Sequence, residues 1–246
     1  MRFLNLRLQN FRNIEFTELP LGNSRIFLLG ANGQGKSNLL EALGLATALR
    51  SFRTQTLAAL PRKGGKEYKL AYELEHDTQG LTTLEIHSHA KGRSVWVDGE
   101  KVSRLVEFIG RFPSVTLCSS DLMLLRGSPS ERRRFMDLTL SVVNRDYYTA
   151  IRDLHRGIAG RNRLLKNNGS AAELSAFEAE IAPHASQIAN YREVGMRTLS
   201  EVLCRTYDRI AEADEGPELS FRPNVDCHDT DAYCRLLYES RKRDRM

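Results

Sequence analysis

The sequence predicts an α/β protein of two lobes, a P-loop lobe bearing an antiparallel β-meander and a helical lobe. Three observations predict it. A complete glycine loop at residues 30–37 stands between an apolar run and a helical pattern. Apolar and polar residues alternate with period two through 67–103. A period near 3.6 takes over from Ser128. The lobes are drawn at 1–125 and 126–214, with 215–246 expected to begin a return to the first lobe.

Leu4, Leu6 and Leu8 alternate with Asn5, Arg7 and Gln9, which predicts a half-buried first strand. Ile26-Phe-Leu-Leu29 is a short apolar run that stops at Gly30, as a central strand would. After Ser37, Leu39, Leu43 and Ala46 fall at helical spacing, widened by Leu40 and Leu49. Tyr68, Leu70, Tyr72 and Leu74 alternate with polar neighbours, as do Leu84 and Ile86. Val95 and Val97 precede Asp98-Gly99, a hairpin turn signal. Val115-Thr-Leu117 predicts another short strand. Ser128-Pro-Ser-Glu131 reads as a helix start, with Ser128 as cap, Pro129 as first helical residue and Glu131 completing a capping box. A second helix is expected from Asn144 to about Asn167-Asn-Gly169. A third runs from about Ala171 to Ala213, kinked or split by Pro183. Leu219-Ser-Phe221 is expected to be a strand and Asp231–Arg245 a helix.

Gly30-Ala-Asn-Gly-Gln-Gly-Lys-Ser37 fits the pattern G-x-x-x-x-G-K-[ST] in full. The residue types follow from the chemistry of phosphate. Gly30, Gly33 and Gly35 let the backbone turn tightly and aim N–H groups inward. Ala31, Asn32 and Gln34 supply the rest of the loop backbone. Lys36 reaches the β- and γ-phosphates of a nucleoside triphosphate, most simply ATP, and the Ser37 hydroxyl coordinates Mg²⁺. The following helix points its positive end at the same phosphates. The motif alone does not identify a reaction, because many P-loop proteins share it.

The bulk properties restrict the class without naming it. The chain has 246 residues, 41% hydrophobic and 27% charged, with a formal charge of +5. That excess permits an acidic partner without demanding one. No apolar run approaches the roughly 18 residues that span a bilayer, and residues 1–8 lack the apolar core of a signal peptide. The four cysteines form no Cys-x-x-Cys pair, so reduced thiols in the cytoplasm are expected. No catalytic triad and no zinc spacing is present.

Several segments together resemble the RecF family. They are Leu8-Gln-Asn-Phe-Arg-Asn13, Gly35-Lys-Ser-Asn-Leu-Leu-Glu-Ala42 with Ser51-Phe-Arg-Thr54, the block from Ser120 to Asp137, and Arg161-Asn-Arg-Leu-Leu-Lys166. The Ser120–Asp137 block is the most specific. Phe52 stands where the family usually has histidine. The family's acidic strand and its ABC-type signature segment are not found, so the chain reads as the N-terminal two-thirds of such a protein. The resemblance implies an ABC-type ATPase lobe and places Arg12 and Asn13 near the nucleotide. It implies ATP and Mg²⁺ as cofactors, weak ATPase activity in the family but hardly any in a chain without those two motifs, and an ATP-dependent homodimer if the full-length chain is present. It further implies binding to gapped DNA, RecO and RecR as partners, and RecA loading in recombinational repair, replication-fork maintenance and the SOS response. No membrane role is implied. The rivals are an SMC-like or related P-loop scaffold, a small P-loop kinase and a non-enzymatic ATP-binding fragment. A coiled coil would mark the first and an Arg-bearing lid after the P-loop helix the second; neither is found.

Positive charge concentrates between Arg126 and Lys166, where ten cations against four carboxylates give +6. Charge alone fits a solvated helix face. With the resemblance, Arg152, Arg156, Arg161, Arg163 and Lys166 become candidate DNA contacts, because the arginine fork suits phosphate. Arg132, Arg133 and Arg134 either join them or pair with Asp121 or Asp137. His87 and His89 share a strand face but lack a third metal ligand. Trp96 reads as a packing residue, with base stacking as its alternative, and Asp121 as either a cap or a metal or water contact.

Overall fold

The structure, a computed structural model, describes residues 1–54, 56–90, 92–211 and 215–245. The chain divides into two compact units, Met1–Arg132 and Arg133–Met246. The fold is α/β, with an antiparallel sheet in the first unit and long helices in the second.

In the first unit, β1 (Arg2–Phe11), β2 (Ile14–Pro20), β3 (Tyr68–His76), β4 (Gly80–His89), β5 (Gly92–Val97) and β6 (Glu100–Lys101) form one sheet. Its order is β2-β1-β3-β4-β5-β6 and every pairing is antiparallel. The alternation expected over 67–103 is present as the meander β3 to β6. Leu6 faces Tyr72 and Leu8 faces Leu70, so both strands turn the same apolar set inward. Leu6, Leu8, Leu70, Leu74, Leu84 and Ile86 are fully buried, which is what a period-two pattern on a half-covered sheet requires.

The helix α1 (Lys36–Ala48) packs on that face, and Tyr72 Oη donates to the Ala42 carbonyl at 2.6 Å. Its buried stripe is Glu41, Ala42, Leu45, Ala46 and Thr47. This is rotated from the expected stripe: Leu40 is exposed, and Leu39 and Leu43 are only half-buried. The rotation carries a carboxylate, Glu41, into the interior.

Three expected strands are not formed. Residues 26–29, 115–117 and 219–221 are extended or irregular chain, and Phe27, Leu29, Val115 and Leu117 are exposed. Apolar character predicts burial, but a strand also needs a neighbour to complete its ladder, and these segments pair with no strand among the described residues. Two short helices, α2 (Leu105–Phe108) and α3 (Met123–Arg126), complete the unit.

The second unit is built from α4 (Pro129–Val143), which begins at the junction, α5 (Arg145–Lys166), α6 (Ala171–Tyr207) and α7 (Thr230–Asp244). Asn144 caps α5 by accepting from the Tyr147 N–H, and Ser170 and Glu173 form a capping box on α6. Pro183 does not split α6, which runs unbroken for 37 residues. Pro183 and Ala179 are both exposed, so the carbonyl left without a donor faces water. Ile181, Ala182, Ala185 and Ile188 hold the opposite face in the core. The expected end at Ala213 lies outside the described residues.

The helices α5 and α6 meet closely at two glycines. A Cβ on Gly160 would lie 2.3 Å from the Phe177 ring, and one on Gly157 would lie 2.7 Å from Ile181. The α7 helix packs against α5 and α6.

Candidate functional site

The loop from Gly30 to Ser37 takes backbone angles that only glycine adopts without strain. Gly30, Gly33 and Gly35 have φ of 147°, 83° and 98°. Gly35 is also the N-cap of α1, and no side chain caps the helix there. The N–H groups of Asn38 and Leu39 turn back onto the Gly35 carbonyl. Those of Lys36 and Ser37 have no acceptor among the described residues. No acidic side chain occupies the first turn. The result is an open helix N-terminus with donors and a positive end presented together, the arrangement that binds anions.

Lys36 arches over this loop. Its Nζ donates to the carbonyls of Gly30 at 2.6 Å and Ala31 at 2.7 Å. The ammonium is thereby held above the glycine turn. Ala31, Asn32, Gly33, Gln34 and Ser37 are exposed, so a phosphate chain has access to the loop and to the Ser37 hydroxyl. That hydroxyl is the group that would hold Mg²⁺.

The two-residue turn of the β1–β2 hairpin brings Arg12 and Asn13 to the loop, but gives them different tasks. Asn13 Nδ2 donates to the Gly33 carbonyl at 3.0 Å, and its Oδ1 accepts from Asn38 Nδ2 at 2.7 Å. It clips the loop to the first turn of α1. Arg12 points away from the loop and into the protein. Its Nε and Nη2 grip the two oxygens of Glu41 at 2.8 and 2.6 Å, and Nη1 reaches the Ala59 carbonyl at 2.6 Å. Arg12 therefore supports the site from behind.

Glu41 is the hub of that support and is 0% exposed. A buried carboxylate is costly unless paired and hydrogen-bonded. Here it is met by Arg12, by the Ser51 hydroxyl and by Arg53 at 3.4 Å. Arg53 Nη1 also donates to Asn38 Oδ1. A chain of contacts thus runs from Glu41 through Arg53, Asn38 and Asn13 to the P-loop backbone. Sequence reasoning matched Ser51-Phe-Arg-Thr54 to a family without giving it a task, and it passed over Glu41. The available signal was Glu41 lying four residues before Leu45, on the stripe that is buried.

The basic residues of α5 separate into three kinds. Arg161 is only 4% exposed. It donates to Glu178 at 3.0 Å, Asp244 at 2.9 Å, the Leu237 carbonyl at 2.7 Å and Ser240 at 3.0 Å. This corrects its placement among the DNA contacts, because all its donor groups face inward. Arg152 is exposed but forks onto Asp153, and that hydrogen bond first of all holds the Asp153 carboxyl below its usual range. Arg156 lies 3.6 Å from the same carboxylate. Arg163 and Lys166 are exposed and have no partner among the described residues.

The acids suggested as partners for Arg132, Arg133 and Arg134 are engaged elsewhere. Asp121 accepts from the Cys118 N–H at 2.7 Å, which makes it a cap. Asp137 accepts from Arg192 Nη2 at 2.7 Å and from the Tyr147 hydroxyl. Burial first, and then Asp137, push the Tyr147 hydroxyl well above its usual pKa. Arg132 itself donates to the Gly127 carbonyl at 3.1 Å. His87 bonds Glu85 at 2.9 Å and packs against Trp96 with centroids 4.4 Å apart, so Trp96 is a packing residue. No group of three metal-binding side chains exists among the described residues. No described helix is long and apolar enough to cross a membrane.

Comparison with known proteins bears on the family and the fold. A family model described as an AAA domain matches residues 5–104. The "DNA replication and repair protein RecF" of Chlamydia trachomatis serovar L2 is 33% identical over 232 residues, covering 89% of this chain and 63% of that protein. The protein of the same description from Leptospira interrogans serovar Lai is 32% identical over 244 residues, covering 98% and 66%. The chain thus spans about 63% of the length of the first of these relatives. A solved structure described as "Structure of the recombination mediator protein RecF-ATP in RecFOR pathway" superposes with a TM-score of 0.81 over 97% of this chain and 66% of that one. Its sequence identity is 22%, so that likeness concerns the fold.

Proposed function

From the premise that this chain belongs to the RecF family, we propose that it binds ATP with Mg²⁺ and uses the bound state to control contact with DNA in recombinational repair. The single observation that carries the nucleotide half is the uncapped N-terminus of α1 beneath three glycines in the left-handed region, with Lys36 arched over them. Phosphate oxygens take the free N–H groups of the first turn. Lys36 exchanges its carbonyl partners for the β- and γ-phosphates, and Ser37 holds the metal. Gly30, Ala31, Asn32, Gly33, Gln34 and Gly35 supply backbone, Asn13 fixes the loop, and Arg12 acts through Glu41.

The DNA half rests on family membership and on the exposed cations of α5. Arg163 and Lys166 are the leading phosphate contacts, Arg156 and Arg152 are weaker ones because Asp153 competes for them, and Arg161 is excluded by burial. The wider role is a cytoplasmic one. In the full-length protein that role is to recognise gapped DNA at damaged or stalled forks, to dimerise on ATP, to work with RecO and RecR in loading RecA, and to hydrolyse ATP weakly. The test is isothermal calorimetry with Mg-ATP on the wild type and Lys36→Ala, followed by DNA binding with and without nucleotide. Nucleotide affinity unaffected by Lys36→Ala, or DNA affinity indifferent to ATP, would contradict the reading.

A further inference from the structure

Arg161 does more than fill the interior of the helical unit: it fixes the end of another helix. The last turns of α7 are anchored by two buried arginines and two acids. Arg161 Nη1 bonds Asp244 at 2.9 Å, and its Nη2 reaches the Leu237 carbonyl and Ser240. Arg241, 8% exposed, forks onto Glu178 and donates to Ser175 at 2.8 Å. Two cations and two carboxylates leave this anchor neutral. It holds the C-terminus of α7 against the start of α6 and the last turns of α5.

What the anchor presents to solvent is not neutral. Lys242, Arg243 and Arg245 are all exposed. Lys242 and Arg245 have no ionic partner among the described residues. Arg243 touches only Asp244, at 3.4 Å, an acid already held by Arg161 and Ser240. Arg163 and Lys166 stand at the same end of the unit, where α5 turns into α6. The capped Glu173 is an acid on that end, tied to Ser170. A positive helix end is favourable for the dipole alone. That effect is satisfied by one or two cations in the last turn, and it does not require them to be joined by a second basic helix end.

We propose that Lys242, Arg243 and Arg245 form, with Arg163 and Lys166, one phosphate-binding surface for the DNA backbone, held in shape by the bonds that the buried Arg161 and Arg241 make to Asp244 and Glu178. This rests on the DNA reading above and extends it to a helix outside the arginine-rich segment of the sequence. Five cations on two anchored helix ends suit a polyanion with regularly spaced charges. Tyr238, exposed one turn before Lys242, is stacked on the Arg241 guanidinium with 4.5 Å to the ring centre, which leaves the cations to contact backbone and not bases.

The experiment measures duplex binding by fluorescence anisotropy across a salt series, for the wild type and for Lys242→Ala/Arg243→Ala/Arg245→Ala. Each phosphate contact contributes about 0.9 to the slope of log K against log salt, so the triple variant is expected to flatten it by up to about 2.7. The melting temperature should fall only slightly, since all three side chains are exposed and only their interaction with the helix dipole is lost. A wild type that binds DNA with a steep slope, matched by the variant, overturns this surface and leaves the DNA reading standing. A wild type that does not bind DNA removes both. Equal wild-type binding to anionic phosphatidylserine vesicles, lost in the triple variant while DNA binding persists, would assign the patch to a membrane and overturn the proposal.

Discussion

Arg12 Nη2 donates to Glu41 Oε1 at 2.6 Å, and this contact ties the turn of the first hairpin to the helix that follows the P-loop. The guanidinium is 18% exposed and the carboxylate 0%. Breaking a buried pair by removing one charge typically costs about 3–5 kcal/mol, because the other charge stays desolvated and unpaired. Glu41→Gln is therefore expected to lower the Tm by roughly 10 °C. It should also loosen the Asn13 clip on Gly33, through Arg53 and Asn38. Thermal unfolding followed by circular dichroism decides it. A variant melting with the wild type would show that Glu41 is not the hub.

Lys36→Ala tests the phosphate contact itself. The lysine is half-exposed and bonds only loop carbonyls, so its loss should leave the Tm unchanged. A charge-assisted contact contributes about 1.5–3 kcal/mol, and ATP affinity should fall roughly 10- to 150-fold. Calorimetry with Mg-ATP measures it, and equal affinities would exclude Lys36 from the nucleotide site.

The P-loop, the meander and the long helices were legible because each is written in local pattern. Gly30, Gly33 and Gly35 announce left-handed backbone, Leu6 to Ile86 announce period two, and Asn144 announces a helix start. What was not legible depends on partners remote in sequence. Ile26–Leu29 and Val115–Leu117 have strand composition, yet a ladder needs a neighbour. Arg161 looks like its neighbour Arg163 in the sequence. Only the positions of Glu178, 17 residues on, and Asp244, 83 residues on, decide that one is buried and the other is not. Glu41 has the same character. A single acid in an apolar helix reads as its exposed face until Arg12 and Ser51 are seen to meet it.

Arg161→Ala should accordingly behave as a folding variant. Removing it deprives Glu178 of one of its two arginines, leaves Asp244 with Ser240 and the longer Arg243 contact, and takes one of two side-chain donors from the Leu237 carbonyl. A loss of about 1–3 kcal/mol is expected, since Glu178 keeps its Arg241 fork and what is lost is hydrogen bonds to buried groups, with α7 becoming sensitive to limited proteolysis. The observation against this would be wild-type stability combined with lost DNA binding, which would return Arg161 to the DNA surface.

The exposed pair gives the complementary expectation. Arg163→Ala/Lys166→Ala should melt as the wild type does, because neither side chain has a partner among the described residues. Phosphate contacts release counterions, so wild-type affinity should fall steeply with salt. Four contacts would give a slope of about −3.6 in log K against log salt. Losing two of them should flatten the slope by up to about 1.8 and weaken binding to unrelated duplexes alike. Arg152→Ala should change it less, because its fork is already closed on Asp153 at 2.9 and 3.1 Å, and a DNA phosphate must compete with that carboxylate. Anisotropy on two duplexes of different sequence separates the outcomes. A double variant that loses one duplex and keeps the other would mean base readout, and one that keeps the full salt slope would take α5 out of the interface.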